Sequence, residues 1–276
     1  TAAADKEVRY AALEAGATDF LTKPIDKHEF IPRVRNMLAL RAAMAASTHR
    51  ANELAVAVRQ ATEEIYQRER ETVMRLARAA EFRDPETGAH ILRMAHYSAA
   101  IARYLDLPEE TVSLLLSAAP MHDVGKLGTP DHILLKPGRL SPEEFEIMKT
   151  HTTLGRQAIE HAEQLLGMQV DFLSMSKDIA QSHQEKWDGS GYPQQLAGDA
   201  IPLSARLMAL ADVYDALISR RIYKPAMSHA QAAEIIVAGR GQHFDPDVVD
   251  AFLAIQDEFQ AIARRFADAE AGAAHG

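Results

Sequence analysis

His90, the adjacent pair His122-Asp123, His151, His183 and Asp212 are six residues of the metal-binding kinds, spread over five segments of a 276-residue chain. If they serve one centre, the fold must gather all five segments at a single point. His122-Asp123 stands in Pro120-Met121-His122-Asp123-Val124-Gly125-Lys126, an imidazole beside a carboxylate among apolar neighbours. A buried charge next to a buried imidazole has to be paired or ligated. Asp212 poses the same problem inside Leu207-Met208-Ala209-Leu210-Ala211-Asp212-Val213, where an unpaired carboxylate costs several kcal/mol. A bound metal ion removes that cost. Any one of these histidines taken alone reads most simply as a hydrogen-bonded structural residue, but six in this order point to a metal centre.

The chain contains no cysteine, so a metal must be held by nitrogen and oxygen ligands; disulfides, iron-sulfur clusters and thiolate zinc sites are excluded. Iron, manganese, nickel or catalytic zinc suits such a set. A hydrophobic content of 47% suffices for a proper core. The net charge of -9 argues against general binding to DNA, so an anionic substrate must be drawn in locally, with Lys126, Arg221, Lys224 and the metals as the candidates. The longest apolar runs, such as Val112–Met121, are far too short to span a bilayer, and no signal-like segment opens the chain. No membrane association and a cytoplasmic location are the expectation.

Helical periodicity and helix-forming residues dominate after about residue 40, so the bulk of the chain is expected to be all-α. Residues 1–40 read differently: a helix from Val8 to Ala15 ended by Gly16, a short strand over Ala17-Thr18-Asp19-Phe20-Leu21, a turn at Lys23-Pro24 and a helix from Asp26 to about Leu40. The phrase Gly16-Ala-x-Asp-Phe-Leu-x-Lys23-Pro24 resembles the closing portion of a response-regulator receiver domain, with Lys23 as the lysine that contacts the phosphorylated site. The resemblance covers the last third of such a domain, without its phosphoacceptor. It implies an α/β receiver fragment, and a histidine kinase acting on the full receiver.

Residues 41–80 hold no glycine or proline and repeat apolar or small residues at Leu54, Val58, Ala61 and Ile65, predicting one long amphipathic linker helix. The seam runs for about two heptads, so the helix either forms a homodimeric coiled coil or packs on its own domain. Beyond it, Asp84-Pro85, Ser141-Pro142-Glu143-Glu144, Pro202, Ser228 and Asp245-Pro246 are helix-start signals, giving five or more helices between residues 85 and 266. Residues 81–266 form the expected effector domain, and 267–276 a flexible tail.

Glu86 and His90 are four apart just after the Asp84-Pro85 start, which puts both on one helical face, within reach of one metal cluster or of each other. The His122 imidazole suits one ion and the Asp123 carboxylate suits bridging two. A bridging carboxylate implies a binuclear site, whose ions, about 3.5–4 Å apart, lower the pKa of a water between them and clamp a phosphoryl centre. Asp212 then completes one sphere with His90 and His122, and His151 and His183 the other. Lys126, one turn past His122, is placed to touch a phosphate; Arg221 and Lys224 offer a guanidinium fork and an ammonium. Tyr192 can stack on a base or donate to a phosphate.

His122-Asp123-x-Gly-Lys126 joined to Asp188-Gly-x-Gly191-Tyr192-Pro193, with Arg83-Asp84-x-Glu86-Thr-Gly-x-His90 before and Ala211-Asp212-Val-Tyr-Asp215-Ala-Leu after, resembles the HD-GYP family from about residue 78 to 266. Gly241-x-x-Phe244-Asp245-Pro246 belongs to the same pattern. The resemblance implies an HD-superfamily helical bundle that hydrolyses cyclic di-GMP to pGpG, and often on to GMP. It assigns metal ligation to Glu86, His90, His122, Asp123, His151, His183 and Asp212, a steadying role on the scissile phosphate to Lys126, and substrate contacts to Tyr192, Asp215, Arg221 and Lys224.

One departure from the family pattern bears on the metals. The family commonly carries His-His-Glu where this chain has His183-Gln184-Glu185, and an amide is a poor ligand beside imidazole. Two divalent ions are therefore expected, with attack on one phosphorus by a hydroxide that bridges them. The same substitution leaves open a preference for the linear pGpG over the cyclic substrate. A different class of function is a non-catalytic module that binds nucleotide or a partner such as a diguanylate cyclase.

Overall fold

The computed structural model describes residues 6–19, 21, 23–81, 88–219 and 226–267. The Asp84-Pro85 helix start, Glu86, Arg221 and Lys224 lie outside them, as does nearly all of the expected tail. The chain divides into two compact units, residues 1–67 and 68–276.

In the first unit, α1 spans Lys6–Glu14 and is followed by Gly16 at φ 92°, a left-handed position that glycine occupies without steric cost. The short strand expected over residues 17–21 is not formed by any of its described residues. A strand needs a neighbour to take its backbone hydrogen bonds, and no strand exists among the described residues to supply one. The α/β character expected of residues 1–40 is thus corrected, among the described residues, to helix and loop. Asp26 accepts a hydrogen bond from His28 N at 2.8 Å and opens α2 (Lys27–Glu81), which has no break at residue 40 and belongs to this unit as far as residue 67. Arg33 pairs with Glu29 one turn back on α2 and with Asp19 in the preceding loop. Leu54, Val58 and Ile65, the seam expected to pack, are exposed on α2.

The second unit is a bundle of α3 (Gly88–Tyr104), α4 (Glu109–Ala118), α5 (Asp131–Leu134), α6 (Pro142–Leu166), α7 (Asp171–Ser182), α8 (Leu203–Ile218), α9 (His229–Ala238), α10 (Pro246–Ala254) and α11 (Gln256–Arg265). The starts of α6, α8, α9 and α10 follow the sequence signals. Ser141 and Glu144 form a reciprocal capping box with Pro142 at the first helical position, Ser228 and Gln231 form another, and the Asp245 side chain accepts from Asp247 N ahead of α10.

Helices α3 and α8 pack against each other through Met94, Tyr97 and Ile101 on one and Leu207, Leu210 and Tyr214 on the other. Phe252 of α10 and Phe259 of α11 close this core: Tyr97 stacks on Phe259 with centroids 4.5 Å apart, and Tyr214 meets Tyr97 edge-on at 5.3 Å. Each such buried ring contributes about 1.5–3 kcal/mol by leaving water. This packing fixes the start of α3 and the middle of α8, the two stretches that carry His90 and Asp212.

Candidate metal centre

Between α4 and α5 the chain makes two tight 3-10 turns, Ala119–Met121 and Val124–Gly128, and His122-Asp123 is the junction between them. The first turn places the His122 ring so that Nδ1 lies 3.0 Å from Ala119 O. The second is pressed onto α6: a Cβ built on Gly125 would stand 1.9 Å from His151 O and 2.4 Å from Gly155 N. Only glycine permits that approach, and the approach is what lets Asp123 reach His151.

His151 on α6 and His183 at the C-terminal cap of α7 use the same device as His122. Their Nδ1 atoms lie 2.7 Å from Met148 O and 3.0 Å from Ile179 O. A carbonyl accepts, so each Nδ1 carries the proton and each Nε2 is left as a lone-pair donor, the tautomer a metal requires. His90 reaches the same state through a carboxylate, its Nδ1 lying 2.8 Å from Asp215 Oδ2.

The ligand atoms gather into two triads, His90 with His122 and Asp212, and Asp123 with His151 and His183, the atoms of each within 4.8 Å of one another. Asp123 joins the two. Its Oδ2 is 3.2 Å from His122 Nε2 and its Oδ1 is 3.4 Å from His151 Nε2 and 3.6 Å from His183 Nε2. All four histidines are buried, and among the described residues His122 Nε2 and Asp123 Oδ1 make no hydrogen bond of normal geometry. Buried polar atoms of native proteins are rarely left in that state. A cation at each triad satisfies them, and nitrogen and oxygen donors without sulfur fit a divalent transition metal.

The electrostatics agree with that fit. Burial pushes the Asp123 carboxyl upward, but Lys126, His122 and His183 outweigh it and hold it well below the usual carboxylate range. Burial lowers His122, yet Asp123 and Asp212 overcome it and raise the imidazole above its ordinary value. The field that draws a proton to this point draws a metal cation equally. Burial lowers His151 to about 4, against the pull of Asp123, so that its imidazole is neutral and ready to ligate.

Lys126 lies beside this centre, its Nζ 2.7 Å from Asp123 Oδ2. Tyr192 is half-buried with its ring centroid 6.4 Å from that of His151, and burial first, then Asp123 and Asp212, pushes its hydroxyl up to about 12. The loop that carries it is held from inside. Glu185, buried, accepts from Gln194 N at 2.7 Å and Leu196 N at 3.1 Å, while Tyr192 N donates to Gln184 O. Gly191 lies so close to this turn that a Cβ would stand 2.3 Å from Lys186 N. On the outer side, Trp187 N and Asp188 N donate to His243 O and Gln242 O. A cavity of about 560 Å³ opens here, lined by Phe145, Lys149, Thr150, Lys186, Tyr192 and Gln195 among others.

Asp215, expected to contact substrate, is placed elsewhere. It is 1% exposed, and both its oxygens are taken, by His90 Nδ1 and by Arg93 at 2.6 and 3.0 Å. Its position is behind His90, orienting that ring. Arg93 is the residue that sequence reasoning missed, although it stands three positions after His90 and so on the same helical face. Glu185 was passed over for Gln184, its neighbour, which is half-buried beside His183.

An HD domain family model matches residues 34–248. A probable cyclic di-GMP phosphodiesterase of Vibrio cholerae is 46% identical over 278 residues, 98% of this chain and 63% of the relative, so the chain spans less than two thirds of that relative's length. The cyclic di-GMP phosphodiesterase response regulator RpfG of Xanthomonas campestris pv. campestris is 44% identical over 98% of the chain and 70% of its own length. In fold, the crystal structure of a cyclic GMP-AMP-specific phosphodiesterase of V. cholerae aligns with 71% of the chain and 52% of its own, at 21% identity and a TM-score of 0.50. A match over most of the sequence and a helical bundle converging on His122-Asp123 lead to one conclusion: the chain belongs to the HD domain family.

Proposed function

We propose that this chain is a metal-dependent phosphodiesterase that opens cyclic di-GMP to the linear dinucleotide pGpG. The observation that carries the reading is the pair of triads joined at Asp123, with the Lys126 ammonium against the joining carboxylate. His90, His122 and Asp212 would hold one divalent ion and His151 and His183 another, with Asp123 shared. Glu86 is assigned to the same centre by its four-residue spacing from His90 and by the family resemblance. Such ions supply Lewis acidity toward phosphoryl oxygens and an acidified water. The names of relatives that match nearly the whole chain support the substrate.

The chain's own residues have separate tasks. The backbone carbonyls of Ala119, Met148 and Ile179 and the Asp215 carboxylate hold the four imidazoles as Nε2 donors. Lys126 brings a positive charge to the position where the phosphate's negative charge grows. Tyr192 and the cavity beside it take the nucleoside. In the reaction the bond between phosphorus and the 3′ oxygen breaks, water oxygen joins phosphorus, and the freed 3′ oxygen takes a proton. Arg221 and Lys224 are assigned by the resemblance to the substrate's phosphates.

Gln184 in place of a second histidine favours two ions, and keeps pGpG as a second candidate substrate. An output role in two-component signalling, with a histidine kinase upstream, a diguanylate cyclase as partner and the exposed α2 seam as a homodimer contact, is part of the same reading. The test is turnover of cyclic di-GMP and of pGpG, followed by product chromatography, with metal-loaded protein and its Asp123→Ala variant. Wild-type turnover that vanishes in the variant is the expected result. Absence of wild-type turnover of either nucleotide would sink the hydrolase reading and leave the binding-module alternative.

A further inference from the structure

We infer that the cavity beside the metal centre is a guanine subsite in which Glu146 and Lys149 read the edge of the base; the inference rests on the cyclic-dinucleotide reading above. Phe145 and Lys149 are one turn apart on α6, and Lys149 is two residues from His151, so a base seated here lies next to the second triad. The rings of Phe145 and Tyr192 stand 6.1 Å apart at 83°, an aromatic corner in which a base stacked on one ring turns its rim toward the other.

The Lys149 ammonium is held within that corner, 5.5 Å from the Phe145 centroid and 5.7 Å from that of Tyr192, and its Nζ contacts Glu146 Oε1 at 2.6 Å. A cation above two π-faces and beside a carboxylate has a defined position. Glu146 is 71% exposed, so its carboxylate is open to a ligand. Together the pair presents a donor next to an acceptor. Guanine presents the complement along one edge: the O6 acceptor for the ammonium, then the N1–H and N2–H donors for a bidentate carboxylate. Adenine inverts this order, setting an amino donor against Lys149 and a bare ring nitrogen against Glu146. The two triads offer ligands to metal ions and no such donor–acceptor pair, so base discrimination is assigned to Glu146 and Lys149.

The experiment compares kcat/KM for cyclic di-GMP and cyclic di-AMP in metal-loaded wild-type protein, Glu146→Gln, Lys149→Met and Phe145→Ala. The guanine preference should fall roughly tenfold to a hundredfold in the first two variants, mostly through KM, since a site built to hydrogen-bond a group discriminates strongly only while its own partner is present. Phe145→Ala should weaken both substrates alike and leave the ratio in place. A ratio unmoved within twofold in Glu146→Gln and Lys149→Met overturns the subsite. Calorimetric binding of GMP and AMP to the same proteins gives a readout independent of turnover. If wild-type protein hydrolyses neither cyclic dinucleotide, the hydrolase reading fails, while tighter binding of GMP than AMP that is lost in Glu146→Gln still supports the subsite. Equal binding of GMP and AMP by the wild type overturns it whatever the turnover.

Discussion

His90 Nδ1 lies 2.8 Å from Asp215 Oδ2, and Arg93 grips the same buried carboxylate through Nε and Nη2. The carboxylate fixes which ring nitrogen of His90 is protonated, and the guanidinium, itself anchored on Phe266 O and Ser219 Oγ, fixes the carboxylate. A ligand oriented this way binds metal more tightly than a free imidazole, and removing the orienting group typically costs about 10–100-fold in affinity. Asp215→Asn should therefore lose metal affinity in that range, measured by competition with a chelator of known strength. Wild-type affinity in the variant would show that Asp215 merely neutralises Arg93.

Gly125 is the point where the turn carrying Asp123 touches α6. A methyl group there would lie 1.9 Å from His151 O, a backbone atom that cannot rotate away. Gly125→Ala must separate the turn from the helix, at a cost of about 3 kcal/mol or more, above the usual overpacking penalty because both partners are main chain. It also draws Asp123 off His151 and His183. The variant should unfold at lower denaturant and bind less metal per chain; an unchanged midpoint and full metal loading would contradict the close approach.

The parts of this arrangement that were legible in the sequence are those that physical chemistry forces into local patterns. A histidine or aspartate stranded in an apolar run, as at His122-Asp123 and Asp212, announces a polar group buried wholly or in part, and Ser141, Ser228 and Asp245 mark helix starts because orphan backbone N–H groups need acceptors there. Arg93 was not legible, because a charged residue on an amphipathic helix looks like surface until its partner, 122 residues away, is known. Glu185 was hidden for the same reason, its partners being backbone amides rather than side chains. The strand expected at residues 17–21 failed because strand propensity is only realised against a neighbouring strand, which no short segment specifies by itself.

Tyr97 presents the opposite case from the candidate metal ligands: its hydroxyl is buried in the aromatic core and, among the described residues, has no hydrogen-bond partner. Burial, then Asp215 and Tyr214, raises its pKa far above the ordinary value, so it is a neutral, unsatisfied phenol. An unmade buried hydrogen bond costs about 1–3 kcal/mol. Tyr97→Phe keeps the stack on Phe259 and removes the cost, so the variant should match or exceed the wild type in stability by about 1 kcal/mol in chemical denaturation. A loss of 1 kcal/mol or more would mean that the hydroxyl is satisfied after all.

Glu185 allows the loop to be tested apart from the candidate metal ligands. Its carboxylate accepts two backbone N–H groups of the segment following Tyr192, and Glu185 belongs to neither triad. Glu185→Ala frees Gln194 N and Leu196 N and should speed amide exchange there by opening the loop, raising KM through displacement of Tyr192. Metal content should stay near wild type, because His183 is held by Ile179 O on α7. Loss of metal in parallel with the rise in KM would instead make the loop part of the ligand scaffold.

Metal stoichiometry tests the role of the two triads together. Protein loaded anaerobically and freed of excess ion should carry two ions per chain, one for each cluster of donors. At free metal about a hundredfold above Kd, each should stabilise the fold by about 2.7 kcal/mol, a rise in thermal midpoint that chelation reverses. Asp123→Ala should lower both the count and that rise, because its carboxylate lies within 3.6 Å of His122, His151 and His183 at once. Gln184 sets the upper limit: an amide next to His183 adds no third strong donor, and replacing it, Gln184→His, is the change that should raise the count. Three ions in the wild-type chain would remove Gln184 as the reason for two.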